Sequence, residues 1–166
     1  MPFELSPAVR QRLDAATKRY PEPMAACLPA LYIAQAEAGA LSDDVVRAVA
    51  DYLKLSHAHV FGVLSFYTMF HRREPGRCVL RVCSNVSCML RGAAEILAAF
   101  GDRLGVKPGE TTADGAFTLV EEECLAACAG APAMVCGDRY FLDLRPEQVG
   151  GILAELREHP RPEALP

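Results

Sequence analysis

The chain has 166 residues, 51% of them apolar, which is enough to bury a core in one or two small domains and too much for a disordered chain. Its 17 basic and 21 acidic residues give a net charge of −4 with no basic block, and there is no Trp, so nucleic-acid binding is not expected. No stretch approaches the roughly 18 apolar residues of a spanning helix, no basic-then-apolar leader opens the chain, and seven cysteines cannot all pair, so we expect a cytoplasmic, reduced protein without direct membrane insertion.

Ser6-Pro7 opens a first helix with Val9, Leu13 and Ala16 at helical spacing, stopped by Tyr20-Pro21-Glu22-Pro23. A second runs from Met24 to about Ala38, placing Cys27, Leu28, Leu31, Ala34 and Ala38 on one face, with Gly39 as terminator. Ser42 caps a third, with Asp43 and Asp44 in its first turn and Val46, Val49, Ala50 and Leu53 inside. Ser56 caps a short fourth through Val60 to Leu64. Phe61, Phe66, Tyr67, Met69 and Phe70 concentrate aromatic surface; a packing seam against the next domain is the expected use, a partner-facing patch the alternative. His57, His59 and His71 lack companions at ligand spacing and are expected at caps or on the surface.

Helical periodicity stops in Arg72 to Arg77, a linker containing Glu74-Pro75-Gly76. Cys78, Leu80 and Val82 then alternate with Val79, Arg81 and Cys83, predicting a strand. Met89, Leu90, Ala93, Ile96, Leu97 and Phe100 predict the apolar face of a helix that Cys88 opens and that ends near Gly101. Pro108-Gly109 and Asp114-Gly115 mark turns before a second strand, Phe117 to Val120. Ala133 to Cys136 and Tyr140 to Leu142, around Gly137-Asp138, predict a β-hairpin. Pro146 starts a last helix with Val149, Ile152, Leu153 and Leu156 inside, and a Pro-rich tail follows from His159. The fold class expected is α+β: a helical bundle over 1–71, then an α/β domain with a mixed sheet over 72–166.

The chemistry concentrates in two cysteine pairs, Cys83-x4-Cys88 and Cys124-x3-Cys128, with 35 residues between them. Each follows a strand-like run, and the helical N-terminus expected at Cys88 favours thiolate. Four thiolates complete a [2Fe–2S] cluster, yet the spacing is neither of the usual ferredoxin patterns. Four thiolates also suit a structural zinc, although C-x2-C pairs are usual there, and a dithiol redox enzyme would favour C-x-x-C. Cys27, Cys78 and Cys136 fall inside helix or strand patterns as small buried hydrophobes. No dinucleotide or phosphate loop and no interpretable nucleophile or paired-carboxylate motif is present.

The runs CSNVSCMLRGAAE (83–95), KPGETTADGAFTLVEEECLAAC (107–128), Ala131-Pro132 and YFLDL (140–144), with Leu41-Ser42-Asp43 and the stretch from Ala58 to Phe70 upstream, resemble the 24 kDa-type [2Fe–2S] subunit of NADH:quinone oxidoreductase, respiratory complex I. The same module occurs in NAD-linked hydrogenases and formate dehydrogenases, and the resemblance covers roughly residues 20–158. It implies that the second domain is thioredoxin-like, with both cysteine loops at one end of the sheet and Cys83, Cys88, Cys124 and Cys128 holding one [2Fe–2S] cluster. It further implies a heterodimer with an FMN- and NADH-binding flavoprotein subunit, one-electron exchange between cluster and FMN, FMN and NAD(H) bound only through that partner, and a place peripheral to the inner membrane as part of a larger complex. Departures lie beside the ligands: Val86-Ser87 stand where Thr-Pro is common, and Ala126 and Gly130 where Gly and Asn are frequent. Loop amides of Ser84 to Ser87 and Leu125 to Ala129 are expected on sulfur. Glu121, Glu122 and Glu123 are expected to hold the potential low, with Arg91 opposing them.

Overall fold

In the computed structural model, residues 3–160 are described, and the chain divides between Glu74 and Pro75 into two compact units. The Pro-rich tail expected from His159 lies almost wholly outside the described residues.

The first unit holds α1 (Pro7–Thr17), a 3-10 turn (Pro23–Ala26), α2 (Cys27–Ala38), α3 (Asp43–Leu53) and α4 (His57–Phe66). Ser6, Ser42 and Ser56 each cap a helix, the side-chain oxygen accepting from the N–H of Val9, Val45 and His59; such a cap satisfies an amide that has no partner within the helix. Val9, Leu13, Leu31, Val46, Val49, Leu53 and Val60 fill the interior. The 3-10 turn takes the start of the helix expected from Met24, and Ala38 is exposed in the last turn of α2 rather than facing inward. Gln35 is buried instead: its amide donates to the Met69 carbonyl at 3.1 Å and accepts the His71 N–H at 2.7 Å, tying the segment after α4 to α2. The aromatic run divides: Phe70 joins this unit's own core beside Tyr32, whereas Phe66 is 77% exposed.

The second unit carries β1 (Cys78–Cys83), α5 (Val86–Leu90), α6 (Ala93–Leu104), β2 (Phe117–Glu122), a 3-10 turn (Cys128–Gly130), β3 (Met134–Cys136), β4 (Arg139–Phe141), a 3-10 turn (Pro146–Gln148) and α7 (Val149–Glu158). The sheet order is β2-β1-β3-β4, β1 and β2 parallel and the other neighbours antiparallel, so the sheet is mixed as expected. One face buries Leu80, Val82, Phe117, Leu119 and Met134 in a cluster with Ile96 and Phe100 of α6 and Val149, Leu153 and Leu156 of α7. Burial of β1 is continuous, as suits an inner strand paired on both edges. The helix expected through Met89 to Gly101 breaks at Gly92, whose φ of +91° is costly for any residue with a Cβ. Met89 and Leu90 therefore belong to the separate five-residue α5 and are 58% and 77% exposed, not core.

Outside β2, residues 109–112 run alongside it: Gly109 and Thr112 donate to the carbonyls of Leu119 and Phe117, the Leu119 N–H returns to Glu110, and Thr111 bridges Thr118. Asp114 closes the turn between them, accepting from the Thr112 hydroxyl at 2.5 Å, the Ala116 N–H at 3.0 Å and Arg157 of α7 at 2.8 Å. The Thr112 hydroxyl foremost, then the amide and Arg157, hold this carboxyl well below the usual carboxylate range. A carboxyl depressed on folding stabilises fully above its unfolded value of about 4 and loses that contribution as pH falls toward the folded one. Asp114→Ala is accordingly expected to lower the melting temperature at pH 7, and melting curves from pH 7 to pH 2 should show the gap to the parent closing below about pH 4. Among the described residues no helix is long and apolar enough to cross a membrane.

Candidate metal centre

The parallel pairing of β1 and β2 brings the two cysteine segments together. In the register Cys83 lies opposite Glu122, so both strands end at the same level and Cys83 and Cys124 leave from one end of the sheet. Ser84 N–H donates to the Glu122 carbonyl at 2.9 Å, and Cys83 N–H donates to Ala133 on the other side, so the Cys83 backbone is fixed from both neighbours. The Cys83 thiol points at the Glu123 carbonyl, 3.9 Å away, the residue that precedes Cys124.

Asn85 starts α5, its side chain accepting the Val86 N–H at 2.9 Å, and this short helix turns Cys88 inward until it is 2% exposed. Cys88 is the third residue of α5 and lies ahead of α6, so it does not open the longer helix expected from the sequence. Burial, reinforced by a hydrogen bond with Cys83 and by the nearby Cys128, pushes the Cys88 thiol up; the Ala133 N–H pulls it the other way. Cys83 and Cys128 are thus both within electrostatic reach of Cys88. In the second loop Ala126 takes φ +55°, the left-handed region that favours Gly, which gives a physical reason for Gly being frequent there in the resembled family. That turn points the Ala126 N–H at Cys124 Sγ, 3.4 Å away. Cys124 and Cys128 are exposed, while Cys83 and Cys88 are buried with Ala93, Ala131 and Ala133, and Leu125 and Ala127 pack on the same cluster. The peptide before Pro132 is cis.

Among the described residues no three Cys, His, Asp or Glu side chains converge as ligands of a single metal ion. A zinc site asks for three or four donors around one ion, whereas a [2Fe–2S] cluster takes two thiolates on each of two irons. The two thiol pairs, one buried and one at the surface, supply the four donors that such a cluster takes. Cys27, Cys78 and Cys136 are buried in the two cores, as expected, and burial raises the Cys27 thiol.

Two features were not legible in advance. Ala133, outside both loops, supplies the amide on Cys88, through the β1–β3 pairing. The rim of the site is apolar and open: Val86, Met89 and Leu90 of α5 are exposed by 58%, 58% and 77%, and Tyr140 and Leu142 beyond the second loop by 51% and 48%. Arg91, paired with Asp143 at 3.7 Å, links the two halves of that rim, so Arg91 faces a carboxylate of its own. Gly130 lies under Leu142, where a Cβ would come within 2.8 Å of the leucine Cβ.

The model of the thioredoxin-like [2Fe–2S] ferredoxin family matches residues 13–157. An NADH-quinone oxidoreductase subunit of Rhizobium meliloti (strain 1021) is 43% identical over 90% of this chain and 89% of its own, and an NADH-quinone oxidoreductase subunit of Escherichia coli (strain K12) is 38% identical over 91% of each. Among solved structures, a chain of an NAD+-reducing [NiFe]-hydrogenase superposes with a TM-score of 0.65 at 19% identity, over 78% of this chain and 23% of that one, which attests the fold. The parallel strand ends that present two cysteine pairs, the match to the family model and the near full-length likeness to these two oxidoreductase subunits together establish that the chain belongs to the thioredoxin-like [2Fe–2S] ferredoxin family.

Proposed function

We propose that this chain is the [2Fe–2S] electron-transfer subunit in the NADH dehydrogenase part of an NADH:quinone oxidoreductase, with Cys83, Cys88, Cys124 and Cys128 as the cluster ligands. The observation that carries the reading is the delivery of both cysteine pairs to one end of the sheet by adjacent parallel strands. When bound, the cluster supplies reversible one-electron chemistry. The chain's own residues do the rest. Cys83 and Cys88 hold it from the buried side, Cys124 and Cys128 from the surface, and the amides of Ala126 and Ala133 stabilise sulfur charge.

With no nucleotide loop in the chain, NADH and FMN belong to a partner flavoprotein subunit, and the two subunits form a heterodimer inside a larger assembly peripheral to the membrane. The exposed Val86, Met89, Leu90, Tyr140 and Leu142 give that partner an apolar landing area beside the ligands. The test is reduction by NADH. The isolated, cluster-loaded chain should stay oxidised with NADH and develop the EPR signal of the reduced cluster once the flavoprotein subunit is added. A chain that NADH reduces unaided, or that stays oxidised in the reconstituted pair, contradicts the proposal.

A further inference from the structure

We infer that Arg81 and Glu122 form an ion pair built into the sheet beside Cys83, and that Arg81 is a positioning residue which sets the reduction potential by offsetting the Glu122 carboxylate. The inference rests on the cluster reading above and goes beyond it.

Arg81 stands two residues before Cys83 on β1, so both side chains leave the same face of the sheet. Glu122 is the β2 residue opposite Cys83, and Val120 is opposite Arg81, so all four residues share that face, with neighbouring strands about 4.8 Å apart. Arg81 Nη1 meets Glu122 Oε2 at 2.9 Å, with the two side chains only 11% and 13% exposed. Val120 and Val135 flank Arg81 on the adjoining strands. Of the three carboxylates leading to Cys124, Glu121 and Glu123 are open to water, and Glu122 is the one withdrawn from it.

The energetic consequence follows from where solvent screens. Exposed carboxylates interact weakly with an added electron because water and salt screen them, whereas a charge largely withdrawn from water one strand from a ligand does not lose its field in this way. An unpaired Glu122 would oppose reduction of an anionic cluster strongly. Paired at 2.9 Å with a guanidinium, it presents a dipole whose field falls off faster than that of either charge. Arg81 therefore removes from the acidic run the member placed to act most, and the run lowers the potential by less than its three charges suggest. A guanidinium that served only to hold β1 against β2 would leave the potential where it is.

The experiment uses the full chain, cluster-loaded, as R81Q, E122Q, R81Q/E122Q and R81K. Iron and sulfide content come first: a parent chain without two of each defeats the cluster reading, and the inference is judged on loaded protein alone. Redox titration followed by EPR should then show R81Q reduced less readily and E122Q more readily. Each shift should be about tenfold in the reduction equilibrium, about 59 mV for one electron. R81K and the double variant should lie close to the parent. A potential unchanged or raised in R81Q, or a shift of the same sign in both single variants, overturns the inference. Should R81Q not hold a cluster, the double variant decides: a value returning from that of E122Q toward the parent supports the pairing, and one remaining at the E122Q value overturns it.

Discussion

Gly76→Ala is expected to destabilise the second unit by about 3 kcal/mol or more, the upper end of overpacking costs. A Cβ at this position would stand 2.7 Å from the Phe117 carbonyl carbon, 2.9 Å from its nitrogen and 3.0 Å from its Cα. These are backbone atoms of a strand hydrogen-bonded on both sides, so no rotamer change relieves the contact. Withdrawal of residue 76 would also break the bond from its N–H to Thr118 Oγ1, 2.7 Å long, and leave a buried hydroxyl without that donor. Gly62 provides the opposite case. It lies inside α4 with nothing within 4 Å of its would-be Cβ, so Gly62→Ala should stabilise the first unit by about 0.5–1 kcal/mol through helix propensity. Denaturant unfolding followed by circular dichroism on both variants measures the two signs.

Serine in place of Cys83, Cys88, Cys124 or Cys128 should abolish the reduced-cluster EPR signal and most of the iron, while serine at Cys27, Cys78 or Cys136 should leave both intact. The metal-free proteins should divide differently. Cys83 and Cys88 are buried at 4% and 2%, so a hydroxyl there must be desolvated and C83S and C88S should lose about 1–3 kcal/mol. Cys124 and Cys128 are exposed, and C124S and C128S should unfold like the parent once metal is removed. Iron assay with EPR and denaturant unfolding of chelated protein read the two effects separately. Loss of iron without the stability difference would sink the buried-and-surface division of the pairs, and iron retained in C83S or C124S would sink the ligand assignment.

Much of this architecture was legible because local chemistry and tertiary packing agree. Ser6, Ser42 and Ser56 announce helices and cap them, and the alternation from Cys78 to Cys83 announces a strand, which its pairing on both edges then buries throughout. Where they disagreed, backbone geometry decided. Met89 and Leu90 carry a helical apolar pattern continuous with Ile96 and Phe100, yet the left-handed turn at Gly92 separates them and leaves them facing solvent. Ala38 continues the spacing of Leu31 and Ala34 but falls at the helix end, past the core it would have joined. The two cysteine pairs were visible from spacing alone; that both loops share one end of the sheet was implied by the resemblance and not by local patterning, and the parallel pairing of β1 with β2 that brings this about is a matter of tertiary structure. Arg81 was visible only as one member of an alternating strand. That it meets Glu122 is a matter of register, and nothing in the order of residues 81 and 122 declares it.

The segment of residues 109–112 that runs beside β2 has a further consequence for how this protein meets others. By occupying the outer hydrogen-bonding groups of Phe117 and Leu119, it removes that edge as a template for another chain. At the opposite margin, β4 offers only the three residues Arg139–Phe141. A strand from a neighbouring molecule thus finds little open backbone on which to extend the sheet, which guards the chain against edge-to-edge aggregation. Recognition must then proceed through side chains and shape rather than through strand addition, and specificity is decided by which surfaces match.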